Sequence, residues 1–377
     1  VSLEVQVGDA RTVGVVVLGL AWFALGACAA TPVYEMEPMH FKVIGKGPNA
    51  RVETMDPEAL FEEGNRAFQA EDFEIAAEKY LLVSDNFQGS RWHKVATFNA
   101  GLALEKGGRF EDAIARFSSF SAAVAGTKDS QDALFRVAHC YEQLKRWDAM
   151  LAVGETILVP HFRDIKVVDR IAAHVVRGRA HEELGELALA ERDYRRALDL
   201  YQDHLEERGL DKSASVSIAQ YRIGEIYREL FASIRFKLPL ERMARDLEDK
   251  SNFFLMAQSA YLRTLRLQHP EWAVVAGFRL GALYETMYED MLAAEVPDTL
   301  TEEEVGIYFE ELHAKIRPLL TRAIDIYERN LRLGQRFGKR DSWMQKTEAS
   351  LARLKDVLRA QSSRAAEGDL RPVVEQN

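Results

Sequence analysis

From Asp56 onward apolar residues return every three or four positions, and few segments show the strict alternation of half-buried strands. The body of the chain is therefore expected to be helical. Asp56-Pro57-Glu58 marks its start, because the aspartate can accept an orphan amide and proline at the first helical position loses no donor. A longer period overlies the helical one. Gly64, Gly101 and Ala138 are separated by 37 residues each, and the same interval relates Ala76 to Ala113 and Tyr80 to Phe117. Further along, Gly178 is followed by Ala190 and Tyr194, Gly224-x2-Tyr227 by Ala257 and Tyr261, and Gly281-x2-Tyr284 by Ala323 and Tyr327. Small residues at such positions let paired helices approach closely, and the aromatics fill the space between units.

The pattern resembles the tetratricopeptide repeat, a helix-turn-helix unit with Gly or Ala and Tyr in its first helix and Ala-x3-Phe/Tyr in its second. The resemblance implies about six hairpins over residues 56–335, stacked as an all-α, right-handed superhelical solenoid. Unit three departs from the pattern, with Met150 and Gly154 where alanine and an aromatic belong, so its second helix is expected to pack loosely. Units five and six separate their two signatures by about 20 extra residues, near 231–250 and 289–307, which lengthened helices can absorb. Thr301-Glu302-Glu303-Glu304 has the capping-box form and predicts a long helix from Glu302 to about Leu333, kinked at Pro318. Within residues 336–360, Ser342 to Leu358 resembles the extra helix that covers the last apolar face of such stacks. Residues 361–377 read as a disordered tail.

The amino terminus has a different character. Thr12 to Tyr34 is uncharged, and its apolar centre, Val13 to Ala24, has the length of a secretory h-region. It runs into Leu25-Gly26-Ala27-Cys28, which resembles the lipobox of bacterial lipoproteins. That resemblance implies a signal peptide over residues 1–27, an acyl lipid such as palmitate on Cys28 and, with Ala29 where aspartate retains enteric lipoproteins, an outer-membrane address facing the periplasm. An uncleaved inner-membrane anchor over Val13 to Ala30 is the alternative, although Gly14, Gly19 and Gly26 interrupt it. Residues 28–55, rich in proline and glycine, read as a tether reaching ~90 Å at about 3.3 Å per residue, with Met39 to Ile44 able to form a short strand.

Composition narrows the function classes. The 377 residues are 47% hydrophobic, enough for a core without staples, and 49 Lys and Arg against 59 Asp and Glu leave a net charge of -10, which offers no footprint for nucleic acid. Two cysteines, Cys28 and Cys140, make no disulfide framework. The sequence contains no G-x-S-x-G, no Walker Gly-Lys-Ser/Thr and no H-E-x-x-H, and no metal or cofactor is expected. His174 and His181 stand about 10.5 Å apart along a helix at 1.5 Å per residue, too far for one metal ion, and His181 takes the repeat's tyrosine position in the core. His139 and Cys140, adjacent on a helix, point about 100° apart, and with no second cysteine or acidic base at a suitable spacing Cys140 is read as a buried structural thiol in preference to a nucleophile. Arg192, Arg195 and Arg196 alternate with Glu191 and Asp193, as on a solvated helix face.

The tetratricopeptide resemblance also implies where a partner would bind, since first helices of such stacks line a concave groove. Counting each Gly or Ala as repeat position eight, position five carries Phe61, Phe98, Phe135, Val175, Tyr221 and Phe278, either a hydrophobic peptide track or packing between neighbouring units. Position nine is more polar, with Asn65, His139, Arg179 and Glu225, and Arg228 completes the candidate groove. The carboxylate clamp of chaperone-binding members is not reproduced, because Phe61 and Phe98 stand where its lysines belong. The expectation is a non-catalytic protein-protein interaction scaffold, a membrane-anchored lipoprotein organising an envelope complex of the barrel-assembly, secretion or gliding-motility class. It is loosely similar to the tetratricopeptide lipoprotein of the β-barrel assembly machinery. The alternatives are a docking arm for a peptidoglycan-active enzyme and a self-assembling repeat protein.

Overall fold

The computed structural model describes residues 40–44, 51–159, 165–207 and 209–367. The expected signal segment, Cys28 and Ala29 lie outside the described residues, as does the tail beyond Glu367. The first described element is a two-stranded antiparallel sheet, β1 (His40–Ile44) and β2 (Arg51–Met55), with Val43 opposite Val52. Part of the expected tether is therefore a hairpin. The sequence favours this pairing, since both segments hold β-branched residues and the stretch between them contains glycine, proline and asparagine.

Thirteen helices follow among the described residues, twelve of them in six hairpins, and together they make an all-helical solenoid body. The hairpins are α1 (Pro57–Gln69) with α2 (Phe73–Asn86), α3 (His93–Lys106) with α4 (Phe110–Ala123), and α5 (Lys128–Gln143) with α6 (Trp147–Ile157). They continue with α7 (Val167–Glu183) and α8 (Leu187–Gln202), α9 (Ala214–Ser233) and α10 (Leu240–Arg266), then α11 (Pro270–Leu292) and α12 (Glu302–Arg336). The closing helix α13 (Ser342–Glu367) packs on α11 and α12 and extends into the segment expected to be a tail.

Local signals account for the helix ends. Asp56 accepts from the Glu58 amide at 3.0 Å, and Thr301 and Glu304 form the reciprocal capping box at the start of α12. Most turns within the hairpins pass through one left-handed residue: Glu71, Gly108, Lys145 and Gly185 occupy the same place in successive units. Glycine adopts that conformation freely, whereas Glu71 and Lys145 hold it against Cβ crowding.

The hairpins are joined by a repeated contact. A Cβ on Gly64, Gly101, Gly178, Gly224 or Gly281 would stand 2.8, 2.7, 2.6, 2.6 or 2.4 Å from the ring of Tyr80, Phe117, Tyr194, Tyr261 or Tyr327 respectively. Each aromatic of the second helix thus seats on a bare glycine of the first, and all five rings are buried. The third hairpin has Ala138 and Gly154 at these positions. There the side chain of Arg177, from α7, occupies the space above Gly154, with Cγ 2.7 Å from where a Cβ would lie. The core reflects this: one cluster spans Phe61 to Cys140, another begins at Ile171, and a small group around Ala138, Met150 and Ala180 lies between.

The extra residues of units five and six lengthen α9 to α12 and fasten the two hairpins together. Lys250 is fully buried, and its ammonium donates to the carbonyls of Phe231 and Ile234, both at 2.8 Å, at the end of α9. It also pairs with Asp290 of α11 at 2.7 Å and lies over the Phe231 ring at 4.1 Å. Burial lowers its affinity for the proton while Asp290 raises it. The loop between α9 and α10 is held to the end of α11 by Arg235 on Asp290 and by the Leu238 amide on Glu295.

Candidate partner-binding face

Successive first helices lie side by side, and the residues facing across their junctions form a charged ladder. Arg136 of α5 reaches Glu105 of α3 at 3.1 Å, and Arg179 of α7 reaches Glu142 of α5 at 3.5 Å. Arg222 of α9 reaches Glu182 of α7 at 3.3 Å, and Arg279 of α11 reaches Glu225 of α9 at 3.2 Å. Arg353 of α13 completes the series on Glu285 of α11. Three arginines, Arg136, Arg222 and Arg279, stand two residues before their own unit's Gly or Ala, so the register of the repeat sets the register of the ladder.

The aromatic seat supports the same glutamates from beneath. The hydroxyls of Tyr194, Tyr261 and Tyr327 donate to Glu182, Glu225 and Glu285 at 2.6, 2.5 and 2.6 Å. Burial, followed by the charge of Glu182, raises the Tyr194 hydroxyl well above its ordinary value, and burial with Glu225 does the same at Tyr261. In the first unit Tyr80 donates to Asn65 at 2.7 Å, with Asn99 of α3 as a further partner. The second unit has phenylalanine, so its glutamate is left short: Glu105, 6% exposed, pairs through Oε1, and its buried Oε2 has no donor.

The candidate groove residues divide between these two layers. Phe61 is buried between Tyr80 and Trp92, with ring centroids at 5.4 and 4.7 Å, and Phe98 packs on Phe117 and Phe120. Tyr221 is buried against Trp272, Val175 is buried, and Phe278 packs on Tyr327 and Trp343. The aromatic stripe is thus largely the seam between units and offers no continuous apolar track. Its signal in the sequence was the tryptophan opening the next helix, at residues 92, 272 and 343. Phe135 is half-buried. The polar members lie in or beside the ladder: Asn65 holds Tyr80, and His139 stands 3.9 Å from Glu105 and from Glu142. Arg179 also pairs with Glu183 at 2.7 Å, and Arg228 bridges Glu225 at 3.2 Å and Glu229 at 3.7 Å.

Other candidates for chemistry resolve into structure. His174 and His181 both face Asp193 of α8, at 3.2 and 3.6 Å, with Arg177 at 3.0 Å on the same carboxylate and Glu186 at 2.6 Å on the far side of His181. The seven-residue spacing brackets one buried aspartate. Among the described residues no group of three or more His, Cys, Asp and Glu is placed to hold a metal ion. Cys140 is free and buried, and burial, aided by the charge of Glu105, pushes its thiol up to about 12. A thiol so held carries almost no thiolate at neutral pH. Among the described residues no helix is long and apolar enough to cross a membrane.

Residues 171–204, which fall within α7 and α8 and the two residues after them, match the tetratricopeptide repeat family model. Solved structures similar to the chain include a tetratricopeptide repeat protein from Parabacteroides merdae, at 14% identity, TM-score 0.37, over 78% of this chain and 98% of that one. A second, from Bacteroides fragilis, is 13% identical with TM-score 0.31 over 80% and 99%. Tetratricopeptide-like repeats of a putative kinesin light chain from Podosopora anserina are 13% identical with TM-score 0.38 over 52% and 96%. No curated protein matches the sequence. The chain thus carries a tetratricopeptide-type repeat at residues 171–204, and the glycine-aromatic seat of that hairpin recurs in four of the five others.

Proposed function

We propose that the protein is a non-catalytic scaffold that binds protein partners along the face of its first helices. One observation carries the reading: five successive junctions each present an arginine-glutamate pair, three of the arginines at the same repeat position, giving a long polar surface. Partners that read it exchange charges with the ladder and with half-exposed groups such as Phe135, His139 and Arg228. Removing one partner of a desolvated pair would leave a buried carboxylate unpaired, so the ladder itself is structural, and recognition falls to the groups beside it.

The finer reading is a lipoprotein with an acylated Cys28, placed at the outer membrane facing the periplasm and organising an envelope complex. The lipobox-like Leu25-Gly26-Ala27-Cys28 after an apolar run supports it. Two experiments test the two parts. Labelled palmitate should enter the wild-type chain and not Cys28→Ala; equal labelling moves the lipid to another residue, and membrane retention of an unlabelled Cys28→Ala protein replaces the lipid with a spanning anchor. Purification from detergent-solubilised membranes should recover envelope proteins that Phe135→Ser/His139→Ala loses while its circular dichroism is unchanged. An unchanged partner set moves recognition away from the first helices.

A further inference from the structure

The second helices carry a surface that this reading does not use. In sequence, Arg192, Arg195 and Arg196 alternate with acidic residues, but α8 separates them: Asp193 turns inward to the two histidines and is 3% exposed. Arg195 is taken by Glu191 at 2.6 Å. Arg192 and Arg196 are exposed with no ion pair, but they lie with Glu191 and Asp199 on the outer face of α8 and do not line the cleft described next. Across from Arg195, α10 exposes Leu255, at 57%, and Met256, at 43%. Between α8 and α10 lies an open cleft of about 290 Å³ floored by Ile223 and Tyr227 of α9, with Leu198 and Arg263 on its walls. The arginines lining it are Arg195 on the α8 wall, held by Glu191, and Arg263 on the α10 wall, which has no ion pair, and no carboxylate lines it, so in a chain of net charge -10 it is a basic, apolar concavity.

The same chain displays the complement. At the start of α12, Glu303, Ile307, Glu310 and Ala314 recur at three- and four-residue spacing, and all are exposed, Ile307 at 56%. Glu303 and Glu310 have no ion pair and flank the isoleucine at about 10.5 Å from each other along the axis. We propose that this acidic stripe of one molecule docks in the α8–α10 cleft of a second copy, seating Ile307 on Ile223, Leu255 and Met256 with Glu303 and Glu310 against Arg195 and Arg263. The two patches are different surfaces, so the contact is head-to-tail and extends to chains of molecules unless rotation closes a ring. The concavity favours a protein helix over a bilayer, which is flat and would be repelled by the net negative charge.

Sedimentation velocity of the full chain over a hundredfold concentration range tests this, independently of the first-helix reading. Wild type should form concentration-dependent oligomers that weaken with salt, while Met256→Glu and Ile307→Glu, both surface changes with unaltered circular dichroism, should each stay monomeric. Mixing the two variants should give a one-to-one dimer and nothing larger, because one keeps an intact stripe and the other an intact cleft. A wild type that is monomeric throughout, oligomers that survive both variants, or a mixture that stays monomeric overturns the proposal. Binding to phosphatidylglycerol vesicles lost in Met256→Glu, without self-association, also overturns it by assigning the cleft to the bilayer.

Discussion

The third hairpin and the fourth are adjacent in the chain, yet they hold together differently. In α7–α8 a buried tyrosine seats on Gly178 and sends its hydroxyl to Glu182, which in turn holds Arg222 of the next unit. One side chain therefore links packing within the hairpin to the charge pair between hairpins. In α5–α6 the ring is missing, Arg177 leans over Gly154 from outside, and Glu142 has only Arg179 at 3.5 Å and His139 at 3.9 Å. The glycine-aromatic seat is the unit of cohesion, and the hairpin without it separates two better-packed halves. Such a joint is expected to open at a lower free energy than the halves it separates.

The largest expected effect comes from removing a seat. Tyr194→Ala should destabilise by about 4 kcal/mol in denaturant titration, the range for deleting a buried aromatic. Adding a methyl under the ring sharpens the comparison: Gly178→Ala should cost about 2 kcal/mol because the buried Tyr194 cannot yield. Gly154→Ala, where the flexible Arg177 can move, should stay within about 1 kcal/mol of wild type. Equal losses at the two glycines would remove the distinction between the hairpins.

Supplying what the second unit lacks should work in the other direction. Phe117→Tyr places a hydroxyl beside the unpaired Oε2 of Glu105 and should stabilise by about 1–2 kcal/mol, the scale of a hydrogen bond to a charged group. The hydroxyls also give a pH signature. Tyr194 is raised above its ordinary 10.0, so its folded form holds the proton more tightly than the unfolded chain. The stability it contributes is fully present below pH 10 and is lost as the pH rises above it toward the folded value. Tyr194→Phe should be less stable at neutral pH and lose less on further alkalinisation, as read by chemical denaturation at each pH. The smallest effect is at the turns: Lys145→Gly relieves a left-handed residue and should add about 0.5–1 kcal/mol.

Much of this was legible in residue spacing. The 37-residue interval located three first helices, and the missing aromatic at position 154 marked the hairpin that lacks a glycine-aromatic seat. The capping box at Thr301 fixed the start of α12, whose end at Arg336 lies three residues past the expected Leu333. Other features depend on direction in space, which one-dimensional spacing does not carry. Asp193 looked like a counterion to its neighbours until the helix turned it inward, and the aromatic stripe looked like a track until tryptophans of the next unit covered much of it. Lys250 was hidden for a different reason: a charged residue inside an insert reads as surface, and only the two carbonyls and Asp290 that converge on it make burial tolerable.

Amide hydrogen exchange followed by mass spectrometry tests the central contrast most directly, because it reports the opening of each hairpin within the intact chain. The seat account predicts that α6 exchanges faster than α4 and α8 at neutral pH, with protection falling at Trp147–Ile157 and recovering from Val167 onward. Protection of α6 equal to that of its neighbours would contradict it and show that the third hairpin is held by something other than the glycine-aromatic seat.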